Sequence, residues 1–137
     1  MSSTGMVDTN ILIDLPWYEE AGLLPDEVIT SAVSLAELAY GVAAAPSPLE
    51  QPRRNRVYAR LRSVLDVQAF DADCADAYTD LIALVLASNR SPRPRRLDLM
   101  IAATAVVHQV PLYTANATDF IGCDQLLDVV ALPSAGK

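Results

Sequence analysis

Short apolar segments of strand length alternate along this sequence with longer segments whose apolar residues recur at helical spacing. Parallel strands require such an order, because a tight hairpin cannot join two strands that run in the same direction. The alternation predicts an α/β fold, a three-layer α/β/α sandwich in which helices cover both faces of a parallel sheet of about five strands. The predicted strands are residues 4–7, 28–30, 67–70, 112–114 and 128–132.

Prolines and helical periodicity divide the remaining sequence. Pro16 is expected to end a first helical turn at 10–15, and three prolines between 46 and 52 indicate a loop. A chain of 137 residues is expected to form a single domain over residues 1–137. The longer predicted helices are residues 31–45, 55–65, 73–88 and 97–110.

The charged residues are unevenly distributed. The net charge of −7 argues against binding to nucleic acid, yet nine of the ten basic residues fall in two windows that contain no acid. These windows are either solvated surfaces or local positive patches that contact phosphate. The arginines are Arg53, Arg54, Arg56, Arg60 and Arg62 in the first window, and Arg90, Arg93, Arg95 and Arg96 in the second.

Neither a membrane span nor a signal peptide is expected, because acidic residues interrupt the apolar runs and no basic segment precedes one. Cys74 and Cys123 lie far apart in the sequence, with no His or Cys near enough to suggest a metal cluster. Two thiols also make a poor disulfide framework. We therefore expect a cytoplasmic protein.

Four acids occupy equivalent places in the predicted elements. Asp8 directly follows the first strand, and Asp119 follows the strand at 112–114 by five residues. Glu37 lies in the first turns of its helix, and Asp98 lies near the start of another. In a parallel sheet the carboxyl ends of strands and the amino ends of the following helices share one edge, where ligands bind. The sequence therefore predicts that these four carboxylates converge.

Each acid also has a purely structural interpretation, because the free N–H groups and dipole of a helix N-terminus favour negative side chains. Ser34 and Glu37 match a capping box, Asp98 fits a cap or first-turn position, and residues 116–119 can cap a last short helix. Asp8 can cap the turn that follows the first strand.

Four carboxylates at one place favour a cation. Two carboxylates about 4 Å apart repel each other by up to about 4 kcal/mol at an effective dielectric constant near 20. Mg²⁺ prefers such hard oxygen ligands, and it activates water and neutralises charge beside a phosphodiester.

The sequence around these four acids resembles the PIN-domain family and, within it, the VapC-type toxins of bacterial toxin–antitoxin pairs. The resemblance spans positions 7 to 120 in the family's order and approximate spacing. Its motifs are VDTN at 7–10, AEL with YG at 36–41, DLMIAATA at 98–105 and TANATDF at 114–120.

The resemblance implies a PIN-like fold and an endoribonuclease that uses Mg²⁺ or Mn²⁺, with Asp8, Glu37, Asp98 and Asp119 as catalytic, metal-binding acids. It implies that Thr114 and Asn116 support the site by orienting a carboxylate or contacting the phosphate. It further implies the toxin of a type II toxin–antitoxin system, with tRNA or ribosomal RNA among its RNA substrates, a small antitoxin partner and a homodimer. The candidate RNA contacts are Arg93, Arg95 and Arg96.

Other classes of acidic α/β protein fit less well. A receiver domain needs a lysine near its acids, whereas the only lysine is Lys137, and an aspartyl phosphatase needs an acid where Asn10 stands. A non-enzymatic protein-binding module, whose acids merely cap helices, remains the alternative.

Overall fold

A computed structural model describes residues 2–136 and contains one five-stranded sheet, in which every pair of neighbouring strands is parallel. The strand order is β3-β2-β1-β4-β5, so that β1 is central and β3 and β5 form the edges. The predicted α/β fold is confirmed. The strands are β1 (Thr4–Val7), β2 (Glu27–Ser31), β3 (Asp66–Gln68), β4 (Leu112–Thr114) and β5 (Val129–Ala131).

Six α-helices connect the strands. They are α1 (Thr9–Ile13), α2 (Leu15–Glu20), α3 (Ala32–Ala43), α4 (Glu50–Val64), α5 (Ala72–Ala87) and α6 (Arg96–His108). Two short 3₁₀ helices span Arg93–Arg95, just before α6, and Ala117–Phe120, after β4. Within residues 2–136, no helix combines the length and the apolar character needed to traverse a bilayer.

Two predictions based on proline were wrong. Pro16 does not stop a helix but occupies the first turn of α2, and residues 50–52, assigned to a loop, form the first turn of α4. The physical reason is the same in both cases. The first N–H groups of a helix have no acceptor within it, so a proline there removes no hydrogen bond and its fixed φ already suits the helix.

The sheet separates two apolar cores, one on each face. Met6 and Val7 are adjacent in β1 and both fully buried, but Met6 packs with residues of α5 and α6 while Val7 packs with α1, α2 and α4. This follows from the two-residue period of a strand, which sends successive side chains to opposite faces. The outcome is a three-layer sandwich with a strongly apolar central strand.

The strand order creates a crevice at the carboxyl end of the sheet. From β1 the chain passes to β2 and β3 on one side and later returns to place β4 on the other side. The connections after β1 and β4 therefore diverge, and ligands of open α/β sheets bind at such a point. Asp8 follows β1 and Thr114 ends β4, so both lie at this crevice.

Candidate active site

Asp8 is a buried carboxylate at the end of β1, with only 1% of its surface exposed. Its Oδ1 accepts a 2.8 Å hydrogen bond from the backbone N–H of Thr9, which makes it the N-cap of α1. Its Oδ2 accepts a 2.8 Å bond from Thr114 Oγ1 and a 3.3 Å bond from Asn10 Nδ2. Asp8 thus does cap a helix, but capping alone does not require a charge to be buried.

The environment of Asp8 favours its protonated form. Burial raises the pKa of Asp8, and the nearby carboxyl groups of Glu37 and Asp119 raise it further. The hydrogen bonds from Thr114 and Thr9 lower the pKa but do not reverse the shift. An ionised Asp8 is therefore held at a cost in free energy, which a cation beside it would offset.

Glu37 lies in the second turn of α3 and faces the same place. Ser31 is the N-cap of α3, since its Oγ accepts a 3.1 Å bond from the N–H of Val33. The capping-box interpretation of Ser34 and Glu37 is therefore wrong, because the helix begins three residues earlier than that motif requires. Glu37 Oε1 instead accepts a 2.7 Å hydrogen bond from Thr9 Oγ1, which joins α3 to the start of α1.

Asp98 and Asp119 complete the group. Asp98 lies in the first turn of α6, whose N-cap position is held by another residue, and Asp119 lies in the 3₁₀ helix Ala117–Phe120. The pKa of Asp98 is raised to about 7, first by burial and then by the carboxyl groups of Asp8, Asp119 and Glu37, with hydrogen bonding to Asp119 adding to the shift. The structure therefore brings all four acids to the same place.

No basic side chain within residues 2–136 forms an ion pair with these acids. Among residues 2–136, the ion pairs formed by arginines are those of Arg53 and Arg54 with Glu50, and none includes any of the four acids. Four carboxyl groups are thus clustered at the crevice at the carboxyl end of the sheet, where hydroxyl and amide groups donate to Asp8 and Glu37.

The donor chemistry of the cluster fits a hard divalent cation, because every candidate ligand is a carboxylate oxygen. Asp8 Oδ1 accepts a single hydrogen bond, so one of its lone pairs is free for a metal. Over the described residues, no three His, Cys, Asp or Glu side chains already stand in a coordination arrangement. These carboxylates would therefore have to change side-chain conformation before several of them could hold one ion.

Two residues that had no assigned role hold the acids in place. Thr9 donates to Glu37, and Asn10 donates to Asp8 while its Oδ1 accepts a 3.1 Å bond from the backbone N–H of Ala115. The sequence feature that could have indicated these supporting roles is the polar Asp-Thr-Asn run between an apolar strand and an apolar helix. Thr114 contacts Asp8 as the resemblance implied, whereas the exposed Asn116 contributes its backbone N–H, which donates to Thr114 Oγ1 at 3.0 Å.

Comparison with known proteins identifies the family of this chain. A family model described as the PIN domain matches residues 5–121. The chain belongs to the PIN-domain family. This PIN domain is 35% identical to Ribonuclease VapC5 of Mycobacterium tuberculosis, with 90% of the chain and 93% of the relative covered. It is 30% identical to VapC ribonuclease Y4jK of Sinorhizobium fredii, with coverages of 84% and 89%.

A solved structure shares both the fold and part of the sequence of the PIN domain. It is a crystal structure of VapBC-5, a member of the VapBC family of toxin–antitoxin systems from Mycobacterium tuberculosis. The TM-score is 0.78 at 29% identity, and the alignment covers 96% of this chain and 98% of that chain. The resemblance to VapC-type proteins that the motifs indicated is thereby confirmed.

The arginines near the acidic site of the PIN domain divide into two kinds. Arg93 and Arg96 are exposed where the chain enters α6, the helix that carries Asp98. Arg95 is turned inward: its Nη1 donates to the backbone oxygen of Ser91, and its Nε is buried without a partner among residues 2–136. Arg95 therefore stabilises the 3₁₀ turn and is less exposed than Arg93 and Arg96.

A groove opens beside the acids on the α3–α4 side of the PIN domain. Thr9 and Glu37 line one part of it, and Leu38, Arg54 and Tyr58 line another. The Arg54 guanidinium is fixed there, because Nη1 donates a 2.8 Å bond to the backbone oxygen of Gly41 in α3. The groove thus makes the Glu37 side of the acidic site accessible to a ligand larger than a metal ion.

Proposed function

We propose that this PIN domain is a Mg²⁺- or Mn²⁺-dependent endoribonuclease, in which Asp8, Glu37, Asp98 and Asp119 are the catalytic, metal-binding acids. The observation that carries the proposal is the clustering of these four carboxyl groups around the buried Asp8, which together with burial raises the pKa of Asp98 to about 7. Helix capping does not need such a cluster. Similarity to two VapC ribonucleases supports RNA as the substrate.

When bound, the metal ion lowers the pKa of a water molecule and offsets the charge of the scissile phosphodiester. The chain itself holds the ligands in position. Thr114 and Asn10 orient the Asp8 carboxylate, and Thr9 orients that of Glu37. Since a metal ligand must be ionised, the Asp98 carboxyl group would hold the ion only in its deprotonated form. Hydrolysis is direct, with no covalent intermediate.

The RNA backbone contacts the exposed arginines at the start of α6. Arg93 and Arg96 lie on the segment that leads into the helix bearing Asp98, so a phosphate beside the acids is near them. A protein with a net charge of −7 must approach RNA through a local positive surface. Arg95, the third arginine predicted from the sequence to contact RNA, does not take part, because its guanidinium donates a hydrogen bond to the backbone oxygen of Ser91.

The PIN domain acts as the toxin of a type II toxin–antitoxin pair in the cytoplasm, as a homodimer that a small cognate antitoxin inhibits. Support comes from the relative of known structure, which is a toxin–antitoxin system member. Co-expression with the product of an adjacent short reading frame tests this pairing. A stable complex without RNA cleavage is expected, and a failure of the two chains to co-purify would contradict it.

The activity itself is tested by incubating the purified protein with total RNA, with Mg²⁺ or with EDTA, and mapping the cut ends. Discrete internal cuts that require the metal are expected, and Asp98→Asn should abolish them. The matched control is Asp71→Ala, which removes an acid that caps α5 through a 3.0 Å bond from the N–H of Cys74. Cleavage that persists in EDTA, or in Asp98→Asn, would refute the proposal.

A further inference from the structure

Asp119 belongs to a segment with little local stability of its own. It lies in a 3₁₀ helix of four residues, in which its N–H donates a 3.0 Å bond to the backbone oxygen of Asn116. Asn116 occupies the N-cap position but makes no side-chain cap hydrogen bond. Short 3₁₀ helices have poor hydrogen-bond geometry, so contacts from elsewhere must fix the direction of the Asp119 carboxylate.

The beginning of this segment is attached to the site. The N–H of Ala115 donates to Asn10 Oδ1 at 3.1 Å, and the N–H of Asn116 donates to Thr114 Oγ1 at 3.0 Å. Both bonds lie before the 3₁₀ helix. They hold the chain where it leaves β4, and the buried side chain of Phe120 holds the end of the turn that carries Asp119.

Arg90 holds the turn from the other side. Its Nη1 donates a 2.6 Å hydrogen bond to the backbone oxygen of Thr118, the residue directly before Asp119. A hydrogen bond from a charged donor is stronger than one between neutral groups, and the planar guanidinium loses less side-chain freedom when it forms than a flexible ammonium does. The bond spans 28 residues of sequence and joins the end of α5 to the acidic site.

The backbone of Arg90 is itself rigid, because α5 ends in a Schellman motif. Asn89 adopts a left-handed conformation with φ of 59°, and its N–H donates to the oxygen of Leu86 at 3.0 Å. The N–H of Arg90 donates to the oxygen of Val85 at 3.2 Å, which completes the motif. The guanidinium therefore extends from a fixed point rather than from a mobile loop.

A second close contact joins the same two segments. Gly122 has φ of +93°, and a Cβ atom there would collide with the side chain of Ser88, the C-cap residue of α5. Ser88 cannot easily move, since its Oγ donates a 3.0 Å bond to the backbone oxygen of Leu84. The end of α5 thus contacts the Asp119 turn both before and after the acid.

We propose that Arg90 is a positioning residue for the acidic site: by holding the carbonyl of Thr118, it directs the Asp119 carboxylate toward Asp98. It acts through the backbone and touches neither RNA nor the metal. The inference deepens the proposed function, because the acid it positions is one of the four proposed metal ligands.

Hydrogen–deuterium exchange measures this role directly on the full chain without metal. The reporting amides lie in residues 116–123, where the N–H of Asp119 and that of Cys123 donate to Asn116 and Phe120. In Arg90→Ala we expect exchange of this segment to be about tenfold faster, as loss of one charge-assisted hydrogen bond implies. Exchange in β1 and α6 should stay at the wild-type rate.

Two further variants make the test specific. Arg90→Lys keeps a charged donor and should restore part of the protection, whereas Arg62→Ala removes an exposed arginine of α4 and should change nothing. If Arg90→Ala destabilises the whole protein, the test uses Arg90→Lys instead. The measured quantity is then the exchange rate in 116–123 divided by that in α6, which should exceed the wild-type ratio. Wild-type exchange of 116–123 in both Arg90 variants would overturn the proposal.

Calorimetric titration with Mn²⁺ supplies the second measurement. Arg90→Ala should raise the Kd for Mn²⁺ about fivefold and lower kcat for RNA cleavage by a similar factor, with little change in KM. A raised KM with a flatter salt dependence and unchanged exchange would instead assign Arg90 to phosphate binding. If the wild-type protein binds no Mn²⁺, the proposed function fails, while the exchange experiment still decides the role of Arg90.

Discussion

The hydroxyl of Thr114 donates a 2.8 Å hydrogen bond to Oδ2 of Asp8, joining two residues that are 106 positions apart in the sequence. Both side chains are buried, and they lie at the ends of β4 and β1, where the strand order of the sheet reverses. A buried carboxylate needs such donors, because an unsatisfied charge in the interior is very costly. Thr114 is therefore part of what allows Asp8 to be ionised.

Replacement of Thr114 by valine keeps the shape of the side chain and removes the donor. We expect the pKa of Asp8 to rise further, RNA cleavage to fall at least about tenfold, and the free energy of unfolding to fall by about 1–3 kcal/mol at neutral pH. Thr114→Ser keeps the hydroxyl donor and should retain much of the cleavage activity and of the stability. Steady-state kinetics and urea unfolding measure these effects, and a fully active Thr114→Val protein would show that the bond is not needed.

Asp98→Asn separates a metal-binding role from a capping role. Because burial and three carboxyl groups disfavour the charge at this position, the substitution should abolish RNA cleavage while leaving the metal-free protein as stable as the wild type or more stable. Thermal unfolding in EDTA at pH 8 measures this. A lower melting temperature with activity retained would favour the capping interpretation.

Asp71→Ala is the matched control, since the pKa of Asp71 is lowered, chiefly by the backbone hydrogen bond from Cys74 at the start of α5. Asp71→Ala should lower the melting temperature, as loss of an N-cap does, and leave cleavage unchanged. The two aspartates should therefore respond in opposite ways to the loss of a negative charge.

The stability of the metal-free protein should fall as the pH rises from about 4 to about 7. An unperturbed aspartate has a pKa of 3.8, whereas that of Asp98 in the folded chain is about 7, so across that interval the folded chain binds more protons than the unfolded chain. The stabilisation that protonated Asp98 provides is complete below pH 3.8 and is lost as the pH rises past about 7.

Chemical unfolding in EDTA at several pH values measures this slope. Asp98→Asn should reduce it, because the titrating group is then absent. Added Mg²⁺ should stabilise the wild-type protein more at pH 8 than at pH 6, since the ion competes with the proton on Asp98. A stability that rises steadily over this interval in EDTA, with no effect of Asp98→Asn, would contradict the raised pKa.

The exposed arginines should affect RNA affinity through salt. In an Asp98→Asn background, which keeps the RNA intact, Arg93→Ala and Arg96→Ala should each reduce the slope of log affinity against log salt by about 0.7, the value for one phosphate contact with single-stranded RNA. Filter binding at several salt concentrations measures the slope. An unchanged slope in both variants would exclude these contacts.

Arg95→Ala serves as the comparison because it removes the same charge from the same segment. Its guanidinium donates to Ser91 and is partly buried, so the variant should lose thermal stability while its salt slope stays near that of the parent. The three arginines, which lie within four residues of one another, should thus separate into two that bind RNA and one that is structural.

Much of the fold follows from local sequence patterns. β1 and β4 were predicted with the bounds that the structure shows, and the other three strands were placed to within two residues. Such patterns work because side-chain periodicity and backbone propensity act over a few residues. The two helix boundaries predicted from prolines were wrong, because the sequence around a proline does not show whether it ends one helix or lies in the first turn of the next.

The sequence alone also determined which acids could meet, because the carboxyl ends of parallel strands and the starts of the following helices share one edge. Only the tertiary structure decided how they are held. Thr9 donates a hydrogen bond to Glu37, and Thr114 and Asn10 donate to Asp8. Arg90 donates to the backbone oxygen that directly precedes Asp119. The physical reason is distance along the chain. A hydrogen bond between residues tens of positions apart depends on how the layers pack, which no local pattern encodes.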